Sequence, residues 1–302
     1  MPDAFAHPTP AEATPRDVDH LVALLELEEL DRDLYRASNP TDSQRPRLFG
    51  GQVAAQAVRA ANLTAPEGRM LHSLHGYFLR PGDPARPTIL HVDRDRDGRS
   101  FSARHVVARQ NGDAIFSMLA SFHVDESGDD LQEIELPDVP LPDDLGEGEF
   151  FGFGPMFDLR TVRDPDQPDT RRMINRYWAR TREPLPDDAL VHQCVLTFLS
   201  DVGTGFYNVP KPDPQQADAV KGGPSLDHAV WFHDPDVRLD EWVLFDLVAV
   251  RLARGRGYYT GSVFDRRGTL VASIAQEHLW REMRLPPGTE FPGMRPPGTP
   301  TP

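Results

Sequence analysis

Apolar and polar positions along this chain repeat in two rhythms. The helical one is clearest at Val191–Val202 (VHQCVLTFLSDV). There Val191, Val195, Leu199 and Val202, with Cys194 and Phe198, recur at i, i+3/i+4, which predicts a helix turning an apolar face to a core. A second helix is predicted at Leu48–Asn62 (LFGGQVAAQAVRAAN), Ala-rich and apolar on nearly every side, so it should be enclosed rather than lie on a surface. A third, amphipathic, is predicted at Val18–Leu30, with an extended segment near Leu34–Ala37. The two-residue rhythm of half-buried strands runs through Leu71–Leu79, Thr88–Val92, Ser100–Arg109 and Ala114–Val124. It returns at Met156–Val162, Arg171–Arg182, Ser225–His233, Trp242–Leu252, Tyr258–Phe264 and Leu270–Trp280. Pro81-Gly82, Asp97-Gly98 and Asn111-Gly112 stand between the early strands, and the last is the strongest hairpin signal in the chain.

The unpatterned stretches divide the chain. Residues 126–153 are acidic and Pro-rich, which predicts a linker between a first domain at 17–125 and a second at 154–285. A polar insert at 203–222 interrupts the second, and the tails at 1–16 and 286–302 are expected to be disordered.

Charge and composition narrow the function. A net charge of −15 argues against nucleic acid or an anionic membrane surface as the main partner. A single cysteine, Cys194, rules out a disulfide framework and any Cys-based metal site. No apolar run is long enough to span a membrane, and no signal-peptide or peroxisomal pattern is present, so a cytoplasmic location without stable membrane association is expected. No H-E-x-x-H or similar spacing supports a metal, and His72, His75, His228 and His233 alternate poorly onto one face, which suggests structural or exposed roles.

The two blocks repeat one another. Phe78 and Pro81 match Phe232 and Pro235 at an offset of 154, Gly98-Arg99 matches Gly255-Arg256 at 157, and Gly112 matches Gly268 at 156. On these anchors Ser225 falls where the first block has Leu71, and Gln276 where it has Ala120. Gln276 also shares its strand face with Leu270, Ala272 and Ile274. Each polar residue thus replaces an apolar one at an equivalent place, and burying it unpaired would cost about 1–3 kcal/mol. Asp201, two turns after Cys194, is on the apolar helix face too. It either caps a turn near the helix end or joins Ser225 and Gln276 around a shared water.

The segments LFGGQVAAQAV, HSLHGYFLRPGD, RDGRSFSARHVVARQNG, VHQCVLTFLSD, LDHAVWFH and LVASIAQE resemble the acyl-CoA thioesterase II family, the TesB-like double-hotdog thioesterases. The resemblance runs from about Val18 to Arg284. It implies an α+β double hotdog: two antiparallel sheets, each wrapped round a long central helix, packed as a pseudo-dimer. It implies hydrolysis of fatty acyl-CoA to free fatty acid and coenzyme A, with no cofactor and no metal, in a homodimer or homotetramer. The family's water-activating Asp, Ser/Thr and Gln fall on Asp201, Ser225 and Gln276. Backbone N–H groups at a helix start, around Gly51 and Gln52, are expected to face the thioester oxygen. Arg254 and Arg256 are expected substrate contacts, drawn from two arginine groups (251, 254, 256, 266, 267 and 94, 96, 99, 104, 109) that either bind CoA phosphates or coat solvated strands. A hotdog hydratase would use an Asp and a His five residues apart and is disfavoured. The non-enzyme alternative is a protein that binds or senses acyl-CoA without turnover.

Overall fold

The structure is a computed structural model that describes residues 17–39, 47–148, 155–162, 174–202 and 220–283. The two tails and most of the polar insert lie outside the described residues.

The chain opens with helix α1 (Val18–Ala23), capped by the Asp17 carboxylate, and turns directly into strands β1 (Leu27–Asp31) and β2 (Leu34–Ala37). The helix predicted to run to Leu30 is therefore shorter. Glu28, Glu29 and Leu30 instead form an exposed edge strand, closed onto β2 by a turn with Asp33 at φ 61°. Helix α2 (Gly50–Leu63) follows, and then four strands: β3 (Arg69–Phe78), β4 (Thr88–Asp97), β5 (Phe101–Gln110) and β6 (Asp113–Val124). The β5–β6 hairpin turns on Asn111 and Gly112 at φ 51° and 84°, the left-handed pair that this dipeptide favours.

After the linker come β7 (Phe157–Val162), β8 (Ile174–Thr181), helix α3 (Ala189–Ser200), a short β9 (Val220–Gly222) and β10 (Asp227–Phe232). The chain closes with β11 (Val243–Ala253), β12 (Arg256–Asp265), β13 (Leu270–Leu279) and a short β14 (Arg281–Met283) that pairs only with β9. The linker is not free of the body: Trp178 donates to Pro140 O, and the Gln132 side chain bridges Gly268 O and Leu270 N.

Twelve strands form one antiparallel sheet in the order β1-β2-β4-β5-β6-β3-β10-β13-β12-β11-β8-β7. Two sheets were expected. The two halves of this one are continuous because β3 and β10 pair along Ser73–Tyr77 and Asp227–Trp231. Outward from that junction the strands occur in matching order. The registers match as well: His75 faces Leu119 and Phe78 faces Phe116 in β3–β6, while Ala229 faces Ala275 and Phe232 faces Ala272 in β10–β13.

Helices α2 and α3 pack on each other and bury almost every side chain they carry. The alanines of α2 let strands approach it closely, and its two buried glutamines find fixed partners. Gln56 donates to Leu24 O and Ser38 O, and Gln52 donates to Asn39 Oδ1. No helix among the described residues is long and apolar enough to cross a membrane.

Candidate active site

Helix α3 ends at Asp201, whose φ of −90° and ψ of 0° make it the C-cap residue. A carboxylate at a helix C-terminus meets the negative end of the macrodipole, an unfavourable place unless something else holds it. That support comes from α2. Its N-cap, Phe49, has no side-chain acceptor for the open N–H groups of the first turn. Gly51 N–H donates to the Asp201 carboxylate instead. The arrangement depends on two glycines. A methyl at Gly50 would lie 2.7 Å from Asp201 Oδ2 and 2.8 Å from the Phe78 ring, and one at Gly51 would lie 2.5 Å from Phe198 O. Phe49 and Phe198 close the contact edge to face, their centroids 4.9 Å apart.

The three residues picked out by sequence converge here. Ser225 Oγ donates to Asp201 Oδ1 at 2.8 Å, and Gln276 Nε2 donates to the same oxygen at 2.6 Å. Ser225 stands just before β10 and bridges His278 across to β13, the strand that carries Gln276. Gln276 is 1 % exposed and Asp201 7 %. Burial pushes the Asp201 carboxyl up to about 6, against the three hydrogen bonds from Gln276, Ser225 and Gly51 that favour its charged form. The result is a carboxylate held by donors yet basic enough to take a proton near neutral pH.

His228, which sequence alternation left among the structural or exposed histidines, lies in the same cluster. Its Nε2 is 2.7 Å from Ser200 Oγ, and burial lowers its pKa to about 4, so the ring is neutral near pH 7. The signal that could have found it was present: at the offset of 154 that sets Ser225 against Leu71, His228 stands against Leu74.

The arginines are spread widely. Arg254 is exposed in the β11–β12 turn, at φ 51° beside Gly255, and Arg256 is paired with Glu277 at 2.7 Å. Arg94, Arg266 and Arg267 pair with Asp33, Asp143 and Asp265. Arg104 is fully buried, bonded to Thr64, Asp97 and backbone carbonyls, and so is part of the core rather than of a phosphate-binding face. One Asp–His pair does stand five residues apart, Asp187 and His192. The structure separates their roles: Asp187 is 95 % exposed and paired with Arg238, while His192 is buried and its Nδ1 accepts from Leu239 N–H. Among the described residues no group of His, Cys, Asp or Glu side chains is placed to hold a metal ion.

With this geometry in hand, known proteins give a consistent match. The family model for an acyl-CoA thioesterase N-terminal domain matches residues 37–123, and that for an acyl-CoA thioesterase C-terminal domain matches residues 133–280. Acyl-CoA thioesterase 2 of Haemophilus influenzae is 34% identical, over 87% of this chain and 98% of its own. The crystal structure of an acyl-CoA thioesterase II, TesB2, from Mycobacterium marinum superimposes with a TM-score of 0.74 at 35% identity, covering 90% of this chain and 100% of that one. A hot dog fold protein of unknown function from Alicyclobacillus acidocaldarius, 20% identical, superimposes with a TM-score of 0.71 over 87% of this chain and 98% of its own, a likeness of fold alone.

Proposed function

The chain belongs to the acyl-CoA thioesterase II family, has a double-hotdog fold and hydrolyses acyl-CoA; on that premise we propose that Asp201 is the general base and that Ser225 and Gln276 hold it and the water it activates. The observation that carries this reading is the convergence of two donors, from residues far apart in the chain, on Asp201 Oδ1. Gln276 keeps a second N–H and Ser225 keeps lone pairs, so both can grip a water that lies against the carboxylate.

In the proposed reaction Asp201 takes a proton from this water as its oxygen bonds to the acyl carbonyl carbon. The carbonyl electron pair moves onto oxygen. That charge needs donors already in place. Gly51 N–H is committed to Asp201, which leaves Gln52 N–H, third in the first turn of α2 and outside the helix ladder, as the donor proposed for the oxyanion. When the tetrahedral intermediate collapses, the C–S bond breaks, the thiolate takes the proton from Asp201, and a fatty acid leaves. No covalent acyl-enzyme is involved. Ser225 donates to an aspartate, and among the described residues no histidine side chain is hydrogen-bonded to its hydroxyl to act as a base.

The same proposal extends to architecture. Each half is a domain, 17–125 and 154–285 about the linker 126–153, whose strands wrap its own long helix, and the two form a pseudo-dimer. The matched registers of β3–β6 and β10–β13 support this. Arg254 and Arg256 are proposed to meet the CoA phosphates, with homo-oligomeric assembly and a cytoplasmic location completing the reading.

The test is thiol release from palmitoyl-CoA in the presence of a thiol reagent. Asp201→Asn is expected to lower kcat by roughly 10²–10⁴-fold. A variant that keeps the native rate removes Asp201 from the mechanism, and an acyl group trapped on Ser225 overturns the direct attack by water.

A further inference from the structure

Two buried polar atoms next to the Asp201 cluster face each other across neighbouring strands. Among the described residues, His228 Nδ1 and Gln276 Oε1 are both buried and make no hydrogen bond of good geometry, although a looser side-chain hydrogen bond from Gln276 already acts on the His228 ring. Native interiors rarely leave such atoms unpaired. These two belong to neighbouring side chains. Strands β10 and β13 pair Ala229 with Ala275 and Val230 with Ile274, so one step further along the same register sets His228 opposite Gln276, on one face of the sheet. In the first half the matching register pairs Leu74 with Ala120, two apolar residues. The second half has therefore exchanged both members of an apolar pair for polar ones. Gln276 also acts on the imidazole, countering part of the downward push that burial exerts on it.

A glutamine amide has a donor end and an acceptor end of nearly the same shape, and what faces one end decides which way it points. Asp201 needs the donor end. If the amide turned round, Oε1 would face the carboxylate, two acceptors against each other.

We propose that His228 is a positioning residue: it carries its ring proton on Nδ1, donates it to Gln276 Oε1, and so holds the amide with its NH₂ toward Asp201. The proton arrangement follows along the chain of contacts. Ser200 Oγ donates to Thr197 O at 2.9 Å and lies 2.7 Å from His228 Nε2. In the proposed relay its hydroxyl proton swings from the Thr197 carbonyl to Nε2, because Gln276, with its own Nε2 on Asp201, turns its Oε1 end away from the carboxylate and needs a donor there. With Nε2 accepting, the single proton of the neutral ring is on Nδ1, facing Gln276. The direction of donation then runs Ser200 to His228 to Gln276 to Asp201. Ser200 immediately precedes Asp201, so the relay starts and ends at the same end of α3. In this proposal His228 acts only through Gln276.

The inference rests on the reading of Asp201 and Gln276 given above, and its test separates the two. Thiol release is measured for His228→Asn, whose side-chain NH₂ stands about where Nδ1 does, for His228→Leu, for Gln276→Ala and for the double variant His228→Leu/Gln276→Ala. We expect His228→Leu and Gln276→Ala each to lose roughly 10²-fold in kcat with KM little changed, and the double variant to lose no more than either alone. His228→Asn is expected to recover most of the loss. The acid limb of the rate profile should move to higher pH in His228→Leu and return in His228→Asn, because Asp201 is held by Gly51, Ser225 and Gln276 and loses one aimed donor. Additive losses, or a His228→Leu enzyme with the native rate beside an inactive Gln276→Ala, overturn the role of His228 alone. An active Gln276→Ala enzyme overturns the catalytic reading itself. If His228→Leu does not fold, nitrogen-15 NMR of the native imidazole decides: a bare Nε2 supports the relay, and a bare Nδ1 refutes it.

Discussion

Among single residues Asp201 couples stability to pH most directly within the site. Its folded pKa of about 6 lies above the ordinary carboxyl value of 3.8. Between those values the native state binds more protons than the unfolded chain, so stability falls as pH rises through about 4 to 6 and stays reduced above it. A shift of that size corresponds to about 3 kcal/mol. Asp201→Asn is thus predicted to melt higher than the native protein at pH 8, with the gain shrinking toward pH 4.5. Equal differences at the two pH values would contradict a strained buried carboxylate. Sequence pointed to Ser225 and Gln276 because each replaces an apolar residue of the other repeat, which is a statement about burial. His228 obeys the same rule against Leu74, but strand alternation groups it with three other histidines and mixes inward and outward positions. His233, for instance, reaches Ser273 from an exposed site.

Where α2 begins, the first two residues of an element decide its function. Gly50 and Gly51 let the open end of α2 reach the end of α3. The two are predicted to fail differently when replaced by alanine. Gly50→Ala presses on the carboxylate Oδ2 and the Phe78 ring, and is expected to cut kcat by at least tenfold with a small change in melting temperature. Gly51→Ala meets the Phe198 carbonyl, which moves only with its helix, and is expected to destabilise the fold by about 1–3 kcal/mol. Kinetics and melting curves on both variants check this, and a reversed pattern would contradict the packing described. Long, strongly periodic elements were legible from sequence: α2, α3 and the strands of both hairpin runs. The shorter ones were not. Strand β1 carries an acidic sequence whose apolar residues also suit a helix, and three-residue strands such as β9 and β14 have no periodicity to read.

At the scale of the whole molecule, the two halves share a topology but not a chemistry. Thr64 caps α2 where Asp201 caps α3. By register Arg104, opposite Ala120, stands where Tyr259 does opposite Gln276. Arg104 fills that space with a guanidinium bonded to Thr64 and Asp97, so the first half holds a cross-link where the second holds the carboxylate cluster. Arg104→Leu is accordingly predicted to cost about 3 kcal/mol of stability while leaving kcat within a few-fold of native. A large loss of kcat in a folded variant would contradict the division of labour. The repeat itself was legible as an offset in sequence. The fusion into one sheet was not, because the β3–β10 pairing joins residues 150 to 158 apart in the chain and leaves no local pattern. That fusion joins the halves edge to edge, while the start of α2 closes on the end of α3 where the trio gathers. The most direct test of this account is the pH dependence of kcat/KM for palmitoyl-CoA hydrolysis. We predict an acid limb with an apparent pKa near 6 that disappears, with most of the rate, in Asp201→Asn. A native rate that stays flat from pH 5 to 8, or an acid limb that persists in Asp201→Asn, would contradict it.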